Sequence, residues 1–302
     1  MRGVCALREI VCLGDPQVEL NQHEDGRWLE GFGGDTSNVA IAARRQGVES
    51  AMIAHIGADD FGDGLMRLWA EEGVATDAIT RDEDAPTGIY FVRHGLDGHV
   101  FSYRRKGSAA SLMRPQDLPL HTIASARILH LSAISQAISE TAADACFAAI
   151  AHARENGVKV AYDTNLRTRL WPVSRARAVI HETLRHVDIA LPGLDDARAL
   201  TGLDDPAEIV RTYRALGPSI VALTLGENGA LVADGAAVHH VPPRTTRLVD
   251  ASGAGDCFDG AFLARLCRGD AAHQAAIYAN CAAALSVTGY GAIAPIPMAE
   301  AV

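Results

Sequence analysis

Residues 248–263 read LVDASGAGDCFDGAFL, an apolar start, three small residues at Gly253-Ala254-Gly255, and an apolar run whose spacing suits a helix from Asp256 to Cys267. Backbone N–H groups of such a turn can point inward, and the following helix adds the positive end of its dipole, so the segment reads as an anion hole. Asp256 stands in the first helical turn, where an aspartate is often only a capping residue. Beside an anion-binding turn it has a second reading, as the base for an attacking hydroxyl in phosphoryl transfer. Neither a GxxxxGK[ST] loop nor a GxGxxG turn after the first strand occurs, which removes support from phosphate-loop and dinucleotide readings.

Outward from this stretch, short apolar runs alternate with helical ones, the pattern of a parallel sheet flanked by helices. Strands are expected at 10–13, 50–56, 128–131, 158–162, 189–191 and 220–225. Helices are expected at 36–46, 62–72, 140–156, 175–186, 206–216, 256–267 and 271–287. Asp35 is the expected N-cap of the first helix, and Gly47 suits its exit. The run GIYFVRHGLDGHVFSY, residues 88–103, breaks the alternation and reads as a β-hairpin turning around 95–98. With residues 17–30 it is expected to form a lid. The expected organisation is one α/β unit over 1–302, with a lid from about 15–31 and 87–106.

The 302 residues carry 27 Lys+Arg against 37 Asp+Glu, a net charge of −10, which disfavours a general nucleic-acid or membrane-surface binder. Six cysteines (Cys5, Cys12, Cys146, Cys257, Cys267 and Cys281) form no CxxC pair and read as small core residues. With no signal-peptide pattern and no apolar run near ~18 residues, the expected location is the cytoplasm.

The segment Asp250–Leu263 resembles the C-terminal signature of the ribokinase-like (PfkB-type) sugar kinases. GGDTSNVAIAARRQGVESAMIAHIG at 33–57 resembles their N-terminal signature, with Asn38, Gly47 and Gly57 at family spacing. Three further segments look most like the 2-keto-3-deoxygluconate kinases of that family: GFGGDTSNVA at 31–40, FSYRRKGSAAS at 101–111, and YDTNLRTRLWP at 162–172. The resemblance spans nearly the whole chain. It implies a three-layer α/β/α sandwich with a small β-sheet lid, ATP and Mg²⁺ as cofactors, and a homodimer or higher homo-oligomer formed through the lid.

The resemblance also implies roles. Asp256 is the base for a primary hydroxyl, with the amides of Gly253, Ala254, Gly255 and Asp256 holding the charge of the transferring phosphoryl group. Arg105 and Arg167 read a sugar carboxylate; by residue type alone both are more often solvated surface arginines. Gly33 and Gly34 let the sugar approach the backbone, with Asn38, Tyr90, Tyr103 and Ile134 as further contacts, although a hairpin tyrosine is commonly a cross-strand packing residue. Asn165, Thr224, Gly226, Gly229, Asn280 and Ala292 match nucleotide positions, Asn280 reading equally as a locally bonded core residue. Asp196 would order magnesium waters.

Some positions depart from the pattern. Ala251 follows Asp250 where a hydroxyl residue is usual. The metal-associated N-x-x-E element is degraded to Gly193 and Asp196. GDPQVEL at 14–20 places Asp15 where keto-deoxygluconate kinases usually have GE, and an acid of this kind holds sugar hydroxyls in other branches. The expected activity is ATP-dependent phosphorylation of 2-keto-3-deoxygluconate, with a kinase for fructose or 2-keto-3-deoxygalactonate, or a non-catalytic sugar-binding regulator, as alternatives.

Overall fold

The structure is a computed structural model describing residues 8–22, 25–95 and 98–302. In chain order the strands are β1 (Arg8–Leu13), β2 (Gln17–Gln22), β3 (Trp28–Gly33), β4 (Ser50–Gly57), β5 (Ala75–Asp82), β6 (Gly88–Gly95), β7 (Gly98–Arg104), β8 (Ala126–Ser132), β9 (Lys159–Asp163), β10 (Ile189–Leu191), β11 (Ile220–Thr224), β12 (Ala230–Asp234) and β13 (Ala237–Val241). The helices are α1 (Asp35–Arg45), α2 (Asp60–Glu72), α3 (Leu120–Ala124), α4 (Ala133–Ala137), α5 (Glu140–Glu155), α6 (Val173–Leu184), α7 (Leu194–Thr201), α8 (Pro206–Leu216), α9 (Ala254–Cys267) and α10 (Ala272–Ser286).

Nine strands form one sheet in the order β13-β12-β11-β10-β9-β8-β1-β4-β5, parallel from β11 to β5 and antiparallel at β12 and β13. Covered faces on both sides explain why its strands read as continuous apolar runs; all eight residues of β4 are buried. Alternation along β1 sends Ile10 and Cys12 into one core and Val11 and Leu13 into the other. The first core takes Val39 and Ala43 of α1, Trp69 of α2, Phe258 and Phe262 of α9, and Ala276 of α10. The second takes Cys146 and Ile150 of α5, Ile180 of α6 and Tyr213 of α8. Each fully buried phenylalanine contributes about 1.5–3 kcal/mol to holding these layers. The result is a three-layer α/β/α sandwich.

A four-stranded sheet, β3-β2-β6-β7, stands apart from the nine-stranded one. Gly88–Arg104 forms the expected hairpin, with Tyr90 opposite Tyr103; residues 96 and 97 of its turn lie outside the described residues. β2 joins the hairpin in parallel to β6.

All six expected strands and seven expected helices are present, with ends within two residues of the expected ones. β5, β12, β13, α3, α4 and α7 were not among the expected elements: β5 is an edge strand with mostly polar or half-exposed positions, β13 is exposed at four of its five residues, and α3 and α4 are only five residues long. Asp35 is not the N-cap of α1. Gly34 holds that position at φ +117°, where a Cβ would lie 2.8 Å from Pro16 Cα, and Asp35 becomes the first helical residue. Gly47 closes the helix as expected, its φ of +79° letting its N–H reach the Arg44 carbonyl at 2.8 Å. Cys12, Cys146, Cys257 and Cys267 are buried free thiols, Cys281 is a half-buried one, and Cys5 lies outside the described residues.

Candidate active site

The parallel strands β1, β8, β9, β10 and β11 end along one edge of the sheet, where open α/β sheets place their ligands. A cavity of about 660 Å³ opens there, with the small sheet on one side and the 251–256 turn on the other. It gathers Gly34, Asn38, Tyr90, Tyr103, Arg105, Ile134, Asn165, Arg167, Asp196, Thr224, Gly253, Ala254, Gly255, Asp256 and Ala292. Gly33, Gly226, Gly229 and Asn280 are not on its wall.

Gly253 caps α9 in the left-handed region, at φ +70°. Its Cα faces Ala292, whose carbonyl oxygen would lie 2.8 Å from an added Cβ. The Ala254 amide is spent within the turn on the Ala251 carbonyl at 3.2 Å. The amides of Gly253, Gly255 and Asp256 have no acceptor among the described residues, which leaves three donors at the positive end of α9 for an anion.

Asp256 is half-buried on the cavity floor, and its Oδ2 accepts a 2.7 Å hydrogen bond from Asn38 Nδ2. This contact depends on close helix packing. At Gly260 a Cβ would come within 2.7 Å of the Val39 carbonyl oxygen, so glycine lets α9 lie directly on α1. Burial, then the neighbouring Asp35 carboxylate, push the Asp256 carboxyl up to about 7, against the Asn38 bond and Arg167. Such a group is about half ionised at neutral pH, and its ionised form is basic enough to take a proton from a hydroxyl. Asp163, at the end of β9, and Asp259, on α9, are carboxyls that burial holds well above the ordinary range.

On the other side of the cavity the groups are side chains from separate elements. Asp15 is buried and pairs with Arg105 at 2.8 Å without hydrogen-bond alignment; Arg105 Nη2 also donates to Gln17 Oε1 at 2.6 Å. Burial raises the Asp15 carboxyl to about 6, with Arg105 opposing and Asp35 adding to the rise. The Arg105 guanidinium lies 5.1 Å above the Tyr103 ring. Tyr90 donates its hydroxyl proton to Glu19 of β2. Asn38 Oδ1 and Gln17 Nε2 are buried without partners among the described residues. A lone acceptor and a lone donor here suit a ligand rich in hydroxyl groups.

Arg167 differs from Arg105. Its Nη1 donates to the Leu166 carbonyl at 3.0 Å, and among the described residues no carboxylate lies within ion-pair distance of it. Asn165 is tied to Asp35, Nδ2 to Oδ2 at 2.9 Å, while Asp196 Oδ2 accepts the Leu166 amide at 2.9 Å. Thr224 ends β11 at the cavity wall. Gly226 and Gly229 instead shape the turn behind it, at φ +59° and +86°. The Asn280 amide donates to the Pro242 carbonyl at 2.8 Å, the locally bonded arrangement open to it from sequence.

Sequence reading gave no role to Gln17, Glu19, Asp35 as a wall residue, Asp163 or Asp259, all of which line the cavity. Asp163 carries a usable signal, a lone acid closing an apolar strand. Gln17 and Glu19 carry none, because only the pairing of β2 with β6 brings them to the site.

The pfkB family carbohydrate kinase profile matches residues 8–299. The chain is 34% identical over 293 residues to a 2-dehydro-3-deoxygluconokinase of Thermoproteus tenax, covering 93% of this chain and 89% of that protein. It is 32% identical to a 2-dehydro-3-deoxygalactonokinase of Haloferax volcanii, over 95% and 93% of the two chains. The crystal structure of a fructokinase with bound ATP from Xylella fastidiosa superposes with a TM-score of 0.88 at 26% identity, over 97% of this chain and 96% of that one. With an anion turn, a basic carboxylate and a polar cavity at the strand ends, and with a family match along nearly its full length, the chain belongs to the pfkB family of carbohydrate kinases.

Proposed function

We propose that this sugar kinase transfers the γ-phosphoryl group of ATP to the primary hydroxyl of 2-keto-3-deoxygluconate. The observation that carries the sugar-acid reading is Arg167, a cavity guanidinium with no carboxylate partner among the described residues. A planar fork of this kind pairs bidentately with a carboxylate. In this reading Asn38 holds Asp256 in place, Asp256 takes the hydroxyl proton, and the amides of Gly255 and Asp256 receive the charge on the transferred group. Asn38 Oδ1 and the Asp15 carboxylate accept from sugar hydroxyls, and the lid strands carrying Tyr90 and Tyr103 cover them.

Mg²⁺ belongs to the nucleotide substrate, whose phosphate charge it neutralises. Among the described residues no three carboxylates or imidazoles converge to chelate a metal ion, and Asp196 keeps one carboxylate oxygen free of the Leu166 amide for a metal-bound water.

A second reading, a kinase for a neutral sugar such as fructose, is favoured by the Asp15–Arg105 pair, which leaves one arginine rather than two for a carboxylate. An ATP-consumption assay over 2-keto-3-deoxygluconate, 2-keto-3-deoxygalactonate and fructose separates them. The sugar acids are expected to give the higher kcat/KM; faster turnover of fructose refutes the carboxylate role of Arg167. Among the described residues no helix is long and apolar enough to cross a membrane, and the free thiols suit a reducing cytoplasm. The outer strands of the small sheet, β3 and β7, have open edges that the lid of a second copy would cover in a homodimer.

A further inference from the structure

Residues 289–297 form no regular structure, yet they brace the glycine turn. At one end the Gly291 amide donates to Asp250 Oδ2 at 2.9 Å, while Asp250 Oδ1 accepts from the Ser252 amide and hydroxyl at 2.9 and 2.7 Å. Next to it the Ala292 backbone fills the space that a Cβ on Gly253 would need. At the other end a single guanidinium nitrogen, Arg45 Nη1, donates to the carbonyls of Ile293, Ala294 and Ile296 at 2.9, 3.4 and 2.7 Å. Gln46 Nε2 adds a bond to the Pro297 carbonyl at 2.8 Å. Arg45 is itself fixed by a two-pronged pair with Glu72 of α2, at 2.9 and 2.6 Å, with both side chains less than a fifth exposed.

These bonds close a circuit. The first turn of α1 places Asn38 on Asp256; its last residue, Arg45, holds 293–296; and 291–292 press on Asp250 and Gly253 at the start of α9. Carbonyls in an irregular segment need donors that no helix or strand supplies, and one guanidinium can serve several while keeping its carboxylate.

We propose that Arg45, which does not line the cavity, is a positioning residue that sets the phosphate-binding turn through the 291–296 segment. This rests on the phosphoryl-transfer reading above. Displacing such a turn by about 1 Å costs on the order of a hundredfold in rate.

The test compares wild type, Arg45→Ala and Arg45→Lys by calorimetric titration with a non-hydrolysable ATP analogue, and by kinetics with ATP and sugar varied separately. Arg45→Ala is expected to weaken nucleotide binding and lower kcat/KM for ATP by about ten- to a hundredfold, leaving KM for the sugar within about twofold. Arg45→Lys, able to face Glu72 but not to span three carbonyls, is expected to fall between. A folded Arg45→Ala with wild-type nucleotide affinity and kcat/KM overturns the proposal. A uniform loss of kcat that tracks a smaller folded fraction, with nucleotide affinity unchanged, also overturns it. Should Arg45→Ala fail to fold, unchanged nucleotide affinity in Arg45→Lys overturns it instead. Wild type that binds no nucleotide sinks the kinase reading and this proposal together, whereas normal wild-type binding with unaffected variants sinks this proposal alone.

Discussion

The two walls of the cavity are built from different materials. The 251–256 wall consists of backbone: a glycine at φ +70°, three amides without an acceptor among the described residues and the start of a helix, with one carboxylate. The facing wall consists of side chains from β2, β6, β7 and the turn after β1, among them a buried ion pair and a tyrosine bonded to a glutamate. Backbone amides recognise a phosphate whatever sugar accompanies it. Side chains at the ends of unrelated strands can change one at a time, so the proposed reading assigns sugar specificity to them.

The comparison predicts separable defects. Asp256→Asn removes the proposed base and is expected to lower kcat by about 10²–10⁴-fold while the fold persists. Near-normal turnover in steady-state assays breaks the assignment of chemistry to the backbone wall. Next in size, Gly253→Ala forces a Cβ against Ala292 in a left-handed conformation that costs roughly 1–2 kcal/mol in itself. KM for ATP should rise about tenfold or more as that cost and the clash displace the turn, with KM for the sugar held. Arg167→Ala should do the reverse, raising KM for a sugar acid about tenfold or more through loss of a charge-assisted bond, with KM for ATP held. If both variants move both constants equally, the two walls do not act independently.

The smallest expected effect is on pH dependence. Since the Asp256 carboxyl is raised from 3.8 to about 7, kcat/KM should fall as pH drops below about 7. The native chain also keeps there a proton that the unfolded chain releases, so this group subtracts stability as pH rises from about 4 to 7. Asp256→Asn should therefore melt at a higher temperature than wild type at pH 8, the gap narrowing toward pH 4 in thermal unfolding scans. A gap that does not change with pH shows that Asp256 has an ordinary carboxyl.

Much of the backbone wall was legible in the sequence. Gly253, Gly255, Asp256 and the helix that follows are neighbours along the chain, and local geometry alone leaves their amides as free donors at a helix start. The α/β alternation was legible for the same reason, because a doubly covered strand has to be apolar throughout. The side-chain wall was legible only in part. Arg105 and Arg167 stood out as a matched pair from their motifs, yet Asp15 claims Arg105 and leaves Arg167 open, which depends on how the turn after β1 meets the end of β7. Asn280 likewise stood at a motif position, and its amide is taken by Pro242.

The sequence by itself determined most of the elements, the α/β alternation and the glycine turn that opens α9, since periodicity, glycine placement and helix polarity act over a few residues. The tertiary structure alone decided which charges are paired, that Asn38 reaches Asp256 across Gly260, and that Arg45 holds 293–296, because these contacts join residues far apart along the chain. The physical reason is one of range: hydrogen-bonded turns obey local geometry, whereas the partner of a buried charge is set by packing, which no local pattern encodes.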